Sequence, residues 1–289
     1  MKICIECHTI IAASTWVCAA CGWRAMSSNG IPCLAPKMIQ SNDGFHEPLF
    51  NEYEKLEQSH FWYNYRRKLI LEAIQRHFPR PTSFLEIGCG TGENLRAIGE
   101  RFPYARLCGS EPSLHALQIA RLKSNAQLLQ MDARAIPFAN AFDVIGAFDV
   151  IEHIEEDALV LSEMHRACSA SGGIVLTVPQ HPALWSHTDE LAKHKRRYTR
   201  GELLQKVGAA GFRPLYVTSF MSLLLPAMVL SRLWQRRSGR ADGVDHGFRI
   251  GRSLNRVFAE VCELERHLLR LGLSFPAGGS LLLVASKMQ

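Results

Sequence analysis

No stretch of this 289-residue chain approaches the ~20 consecutive apolar residues that a helix needs to cross a bilayer. The longest apolar segment, Phe220 to Leu230, is far shorter and is interrupted by Pro226, so no membrane span is expected. The start of the chain lacks the succession of charged, apolar and small residues that marks a secretory signal. Nine cysteines, an odd number, do not divide into a disulfide framework. These absences together point to a reducing cytoplasm. Internal repeats and low-complexity tracts are also missing, which excludes solenoids and compositionally disordered chains. Neither sign of charge dominates: 33 Lys and Arg against 27 Asp and Glu leave +6.

What is present is concentrated in a few places. Lys193, Lys195, Arg196, Arg197 and Arg200 form one basic cluster, and Arg232, Arg236, Arg237 and Arg240 another. Either suits an anionic head group or phosphate, and the plain alternative is a solvated basic surface. The cysteines are uneven too. Cys4-x2-Cys7 is followed after ten residues by Cys18-x2-Cys21, and two such knuckles let four thiolates converge on one tetrahedral zinc ion. Residues 1–26 are therefore read as a zinc ribbon, a segment too short to fold without a metal staple. A redox CxxC is the rival reading, weakened by the second pair. Four thiolates close the coordination sphere, so this metal is structural. His8 and Cys33 are read as bystanders. Residues 27–49 read as a polar linker and 50–289 as the main domain, long enough to bury its own core.

That domain carries its clearest signal in Phe84 to Gly92, FLEIGCGTG. An apolar strand ends in a turn with glycine at 88, 90 and 92, where the backbone can pass close to a ligand that any Cβ would strike. A helix-like stretch, Glu93 to Arg101, follows, so the turn presents a helix N-terminus. Glu86 stands just before the turn. Glu111 lies nineteen residues past Gly92, at the end of a second apolar run, and Asp132-Ala133 twenty-one residues further closes a third, Gln127 to Met131. A carboxylate at the second strand end suits ribose hydroxyls. Further runs are Phe142 to Asp149 and Gly173 to Pro179. The glycine pattern is GxGxG, not the dinucleotide GxGxxG, and no phosphate-binding Lys-Ser/Thr follows it.

With the motifs LEIGCGTG, GSEPS, MDARAIPF, FDVIGAFDVIEHI and GGIVLTVP, the chain from about Phe61 to Gly211 resembles the class I S-adenosylmethionine (SAM) dependent methyltransferases of the type 11/12 kind. The resemblance implies an α/β fold with a Rossmann-like seven-stranded sheet in the order 3-2-1-4-5-7-6. Phe212 to Ser219 and Ser280 to Ser286 supply strands six and seven, the last antiparallel, with a helical cap at 220–279 between them. It further implies that Glu86 meets the methionine end of SAM, while Gly88, Cys89, Gly90 and Gly92 give the ligand room. Glu111 would accept both ribose hydroxyls beside Pro112. Asp132 would accept the adenine amino group next to the Ala133 amide. Phe148 and Asp149 would line the methyl-donor side. Phe50 to His77 reads as helical; Trp62, Tyr63 and Arg66 within it would cover the methionine end, Arg66 pairing with its carboxylate, or else form a core-facing aromatic stripe.

Methyl transfer from a sulfonium is an in-line displacement, so holding the nucleophile in place supplies most of the acceleration. An acceptor hydroxyl or acidic carbon also needs a base. His153, His181 and His194 are the candidates, with His187 nearby; His153 and His181 rank first, and Asp189 or Tyr198 would orient a neighbour. In ubiquinone-pathway and small-RNA 2′-O-methyltransferases a carboxylate and Glu-His at this place hold a divalent ion, and Asp149, Glu152 and His153 match that position, although the default is metal-free. The expected acceptor is a small or lipid-like molecule methylated on oxygen or carbon. The apolar segment Ser219 to Arg237 with its basic end suits an amphipathic substrate or peripheral contact at the inner membrane face. RNA held by the ribbon and basic clusters is the alternative; the NPPY-type motif of many N-methyltransferases is missing. A non-enzymatic scaffold is the third reading, opposed by Glu86, Glu111 and Asp132.

Overall fold

A parallel sheet covered on both sides by helices needs strands that are apolar on both faces, and five runs of this chain meet that condition. In the computed structural model, which describes residues 1–40, 47–238 and 250–288, they form β1 (Ser83–Ile87), β2 (Arg106–Ser110), β3 (Gln127–Leu129), β4 (Phe142–Phe148) and β5 (Cys168–Pro179). With β6 (Phe212–Phe220) and β7 (Ser280–Lys287) they make a seven-stranded sheet ordered β3-β2-β1-β4-β5-β7-β6. The first five strands pair in parallel, and β7 runs antiparallel to both neighbours. This is the Rossmann-like methyltransferase sheet that the sequence implies. Strand order reverses between β1 and β4, and the crevice beyond the carboxyl ends of those strands is where such sheets bind ligands.

Alternation along β1 places its residues in two layers. Leu85 and Ile87 join the core with Leu129, Ile145 and Leu176. Phe84 faces the opposite layer, with Val144, Val175 and Leu282. Glu86 shares the face of Phe84, and this buries a carboxyl at the strand end.

Helices α1 (Glu47–Ser59), α2 (Phe61–His77), α3 (Glu93–Arg101), α4 (Leu114–Lys123), α5 (Asp157–Ala167) and α6 (Arg200–Ala209) pack around the sheet, and α7 (Leu225–Ser238) and α8 (Arg252–Arg270) lie between β6 and β7. The helical reading of Phe50 to His77 is corrected to two helices. His60 breaks them: it is extended and caps α2, its Nδ1 accepting from the Trp62 amide at 3.3 Å. Burial pushes His60 down to about 4, which keeps the ring neutral and able to accept. In the cap, Leu230, Leu233 and Trp234 are exposed. Arg240 of the second basic cluster lies outside the described residues. Among the described residues no helix is long and apolar enough to cross a membrane.

Part of residues 27–49, read as a polar linker, has secondary structure. Met26–Ser28 and Ile31–Cys33 form an antiparallel hairpin, and Pro36–Gln40 is helical. The hairpin covers the edge strand β3. Leu34 donates to the Gln130 carbonyl at 2.8 Å, and the Gln130 amide donates to Pro32 at 2.9 Å. A three-residue edge strand otherwise leaves its backbone groups open.

Candidate active site

The turn after β1 is built by left-handed glycines. Gly88 and Gly92 have φ of +67° and +82°; a Cβ would stand 2.5 Å from Val150 Cγ2 at the first and 2.7 Å from Ala120 Cβ at the second. No other residue fits both the conformation and the space. Gly92 is the N-cap of α3. Beneath the turn, Glu86 is buried; its Oε1 accepts from Asn94 Nδ2 at 3.0 Å, and its Oε2 has no partner. Burial pushes this carboxyl up to about 8.

Glu111, just past β2, accepts from the Gly90 amide at 3.3 Å and the Ser113 amide at 3.2 Å. Burial outweighs these two bonds and pushes it up to about 7. Asp132, past β3, is clasped by Arg134, whose backbone amide and guanidinium donate to its carboxylate at 2.9–3.1 Å. Ala133 and Pro112 line the same wall.

Arg66 is committed to a protein partner. From α2 its Nη1 donates to Asp149 Oδ2, which also accepts from Thr177 Oγ1 at 2.9 Å. Its guanidinium lies 4.5 Å from the Trp62 ring centroid and 5.5 Å from that of Tyr63. Asp149 has a φ of +57°, unusual for a residue with a side chain. Its amide is fastened to the Thr177 carbonyl at 2.9 Å. Glu57 of α1, which carries no motif, accepts from Thr91 Oγ1 over the glycine turn, and burial raises its carboxyl.

One cavity of about 1420 Å³ gathers Arg66, Gly88, Cys89, Gly90, Glu111, Pro112, Asp132, Ala133, Phe148, Asp149, His153 and His194. Glu86 and Gly92 lie behind its wall. His181, ranked high from sequence, is not among the lining residues; its Nε2 is buried without a partner. Tyr198 is fully buried and donates to Asp157 at 2.7 Å, so it orients no residue of the cavity.

Two of the histidines that line the cavity stand together. The rings of His153 and His194 meet edge to face, 4.7 Å between centroids. His194 Nδ1 lies 2.9 Å from Asp189 Oδ1. Asp189 also accepts from Arg197 Nε at 2.7 Å and from the amide and hydroxyl of Ser186, each at 2.9 Å. Burial works against the charge on Asp189, yet the bonds from His194 and Arg197 pull it down to about 2. An ionised Asp189 accepts from Nδ1–H, so that whenever the ring holds a single proton Nε2 carries the lone pair. His153 is driven the other way, to about 4, first by burial and then by the charge of His194. Glu152 is wholly buried, neither oxygen has a hydrogen-bond partner, and burial and then Asp149 hold it well above the usual carboxylate range. One donor atom from each of Glu152, His153 and His194 lies within 4.8 Å of the others.

A second donor cluster lies among residues that do not line the cavity. The sulfurs of Cys4 and Cys21 lie 3.7 Å apart, those of Cys7 and Cys18 3.5 Å apart, and all four fall within 4.8 Å. A tetrahedral zinc site with Zn–S near 2.3 Å has sulfur–sulfur edges of about 3.8 Å, so the thiols fit that ion.

The profile of the methyltransferase-domain family matches residues 61–217, more than half of the chain, and the chain belongs to that family. A trans-aconitate 2-methyltransferase of Azoarcus sp. (strain BH72) is 29% identical over 154 residues, covering 52% of this chain and 58% of that protein. A demethylmenaquinone methyltransferase of Thermus thermophilus is 29% identical over 125 residues, 41% of this chain and 56% of that one. Among solved structures, phosphoethanolamine N-methyltransferase 2 of Haemonchus contortus in complex with SAM shares the fold at a TM-score of 0.52 and 18% identity, over 77% of this chain and 53% of that chain. The chain thus spans a little over half the length of each.

Proposed function

We propose that the protein transfers the methyl group of SAM to an oxygen or carbon of a small-molecule or lipid-like acceptor. The observation that carries this reading is the pair of desolvated carboxyls, Glu86 and Glu111, set on either side of a left-handed glycine turn that opens into the cavity. In this assignment Glu111 accepts the ribose hydroxyls. Glu57 faces the methionine ammonium from the cavity wall, and Glu86, behind that wall, reaches the methionine end through water. Asp132 and Ala133 frame the adenine. Arg66 holds Asp149 and Trp62 in place as the wall beside the sulfonium. Cys4, Cys7, Cys18 and Cys21 bind a structural zinc ion. Calorimetric titration with S-adenosylhomocysteine tests the cofactor assignment, and transfer of labelled methyl from SAM to a panel of small acids, quinols and lipids tests the acceptor class. No heat of binding with the first ligand would defeat the proposal.

The carboxyls give this reading a pH signature. Both are raised above their unfolded value of about 4.3. The stability they contribute to the ligand-free fold is therefore fully present below that value and lost as pH rises through about 7 and about 8. Ligand hydroxyls and ammonium favour the ionised forms, so binding releases protons. Affinity for S-adenosylhomocysteine is expected to rise about tenfold between pH 6 and 8 from Glu111 alone, and the ligand-induced gain in Tm to grow with it. Thermal melts with and without ligand across that range would read the effect; a flat increment counts against the assignment.

The base is assigned to His194. Asp189 orients it and stabilises the cation that forms on proton uptake, as in other base–carboxylate pairs. His153, held near 4, is too weak a base for this and serves as a neutral donor or acceptor. A second reading is favoured by the gathering of Glu152, His153 and His194: these residues would hold a divalent cation, which supplies a Lewis acid for an acceptor hydroxyl. His194→Ala is expected to lower kcat by about 10²–10⁴ while leaving affinity for S-adenosylhomocysteine within about twofold. On the metal-free reading His153→Ala is much milder, and after EDTA treatment zinc alone restores whatever activity is lost. If EDTA silences the enzyme and magnesium or manganese restores it, the second reading holds.

A further inference from the structure

Helix α7 and the turn that leads into it are amphipathic in an inverted sense. Leu224, Ala227, Met228, Ser231 and Arg232 line the cavity, and their offsets of three, four, seven and eight residues make one helical stripe. Ser231 and Arg232 therefore belong to the inner stripe. A second stripe, Leu223, Leu230, Leu233 and Trp234, does not line the cavity; Leu230 is 67% exposed, Trp234 60% and Leu233 48%. The outward face of a surface helix ordinarily carries its charged and polar residues, and an exposed apolar patch in that place marks a contact surface.

The start of α8 borders the same cavity through Leu254 and Phe258, and it too exposes apolar groups, Leu254 and Val257. Arg252 and Arg256 stand exposed in the same two turns and form no ion pair among the described residues. Charge in these helix segments has one sign. The sequence holds no acidic residue between Glu202 and Asp242 and none between Asp245 and Glu260, whereas Arg232, Arg236 and Arg237 fall in α7 and Arg252 and Arg256 in α8. A second copy of the chain docked face to face would set these cations against one another. Anionic lipid head groups neutralise them, and the acyl boundary accepts the leucines and the tryptophan.

We infer that α7 and the first two turns of α8 dock on an anionic lipid surface, with Leu230, Leu233 and Trp234 entering the acyl boundary and Arg252 and Arg256 meeting the phosphates. An indole, apolar in its ring and polar at its N–H, suits that depth. At 14 residues α7 falls short of the ~20 that a span needs, so it lies in the plane of the interface. The cavity that α7 covers then sits directly beneath the lipid surface. This goes beyond the methyltransferase reading and does not depend on which acceptor is methylated.

Co-sedimentation of the full-length protein with vesicles tests the inference. Mixed phosphatidylcholine–phosphatidylglycerol vesicles are expected to bind it at least tenfold more tightly than phosphatidylcholine alone, and added salt to weaken the binding. Leu230→Ser combined with Trp234→Ser is expected to lose at least tenfold on the mixed vesicles, with S-adenosylhomocysteine affinity within about twofold of wild type. Each arginine near the surface is worth about fivefold, so Arg252→Gln combined with Arg256→Gln is expected to lose at least tenfold on the mixed vesicles and little on the neutral ones. No binding to mixed vesicles, equal binding to neutral ones, or undiminished binding by the Leu230/Trp234 variant each overturns the inference. So does a wild-type dimer that ignores vesicles and becomes a monomer in that variant, which would assign the face to a second copy. Should a variant fail to fold, hydrogen exchange on the wild-type protein decides: mixed vesicles are expected to slow exchange in residues 223–234 and 252–257, and protection confined to other segments overturns the inference.

Discussion

Alanine in place of Glu111 is expected to weaken S-adenosylhomocysteine binding by about two to three orders of magnitude. The carboxylate is assigned two hydroxyl hydrogen bonds, each charge-assisted and worth about 1.5–3 kcal/mol, and roughly 1.4 kcal/mol corresponds to a factor of ten. Water entering the vacated space recovers part of the sum. The loss has a second origin within the protein. Glu111 accepts from the amides of Gly90 and Ser113, so alanine also frees the glycine turn from the helix start that follows β2. Glutamine separates the two effects. It keeps one acceptor oxygen but turns an NH₂ toward the other donor, and an intermediate loss of about tenfold is expected. Calorimetry on the two variants and the wild type measures both steps. Wild-type affinity in Glu111→Ala would mean that the nucleoside lies elsewhere in the cavity.

Loss of the zinc ion assigned to the thiol cluster is the other change with a large expected effect, because that cluster is fastened to the segment assigned to the adenine. The Ile3 amide donates to Pro137 at 3.0 Å, the Ala139 amide to Met1 at 2.9 Å, and Trp16 packs edge-on against Phe138. On the other flank Gln130, fully buried, donates to the carbonyls of Ala35 at 2.8 Å and Pro112 at 3.3 Å. Asp132 and Ala133 lie between these two anchors. Structural zinc sites of this kind supply the folding free energy of their own segment. Serine at Cys4 and Cys18, the two buried thiols, is expected to abolish a zinc content of about one per chain, to expose residues 1–24 to rapid hydrogen exchange, and to weaken S-adenosylhomocysteine binding about tenfold. Metal analysis, exchange mass spectrometry and calorimetry read the three separately. Wild-type protein purified without zinc would remove the metal assignment. Unchanged ligand affinity in the zinc-free variant would show that the anchors act independently of it.

The features legible in the sequence are those encoded at short range. Gly88 and Gly92 mark their turn because the left-handed backbone and the approach of Val150 and Ala120 admit no side chain. The acids at 86 and 111 sit at strand ends that apolar runs announce, and four cysteines in two knuckles declare their convergence by spacing alone. The sheet order followed from the same motifs through the family they resemble. Partners joined across separate elements carried no such signal. Arg66 reads as a ligand for the cofactor's carboxylate, and only the packing of α2 on the sheet brings Asp149, just past β4, within its reach. Glu57 is one acid among many until α1 crosses the glycine turn. His194 stands forty-one residues from His153, and only the path of the loop after β5 sets the two rings together, directs His194 onto Asp189 and leaves His181 out of the cavity. Backbone geometry at fixed offsets is written in residue type, whereas the meeting of side chains from distant segments depends on how helices and loops settle on the sheet, and no local pattern specifies that.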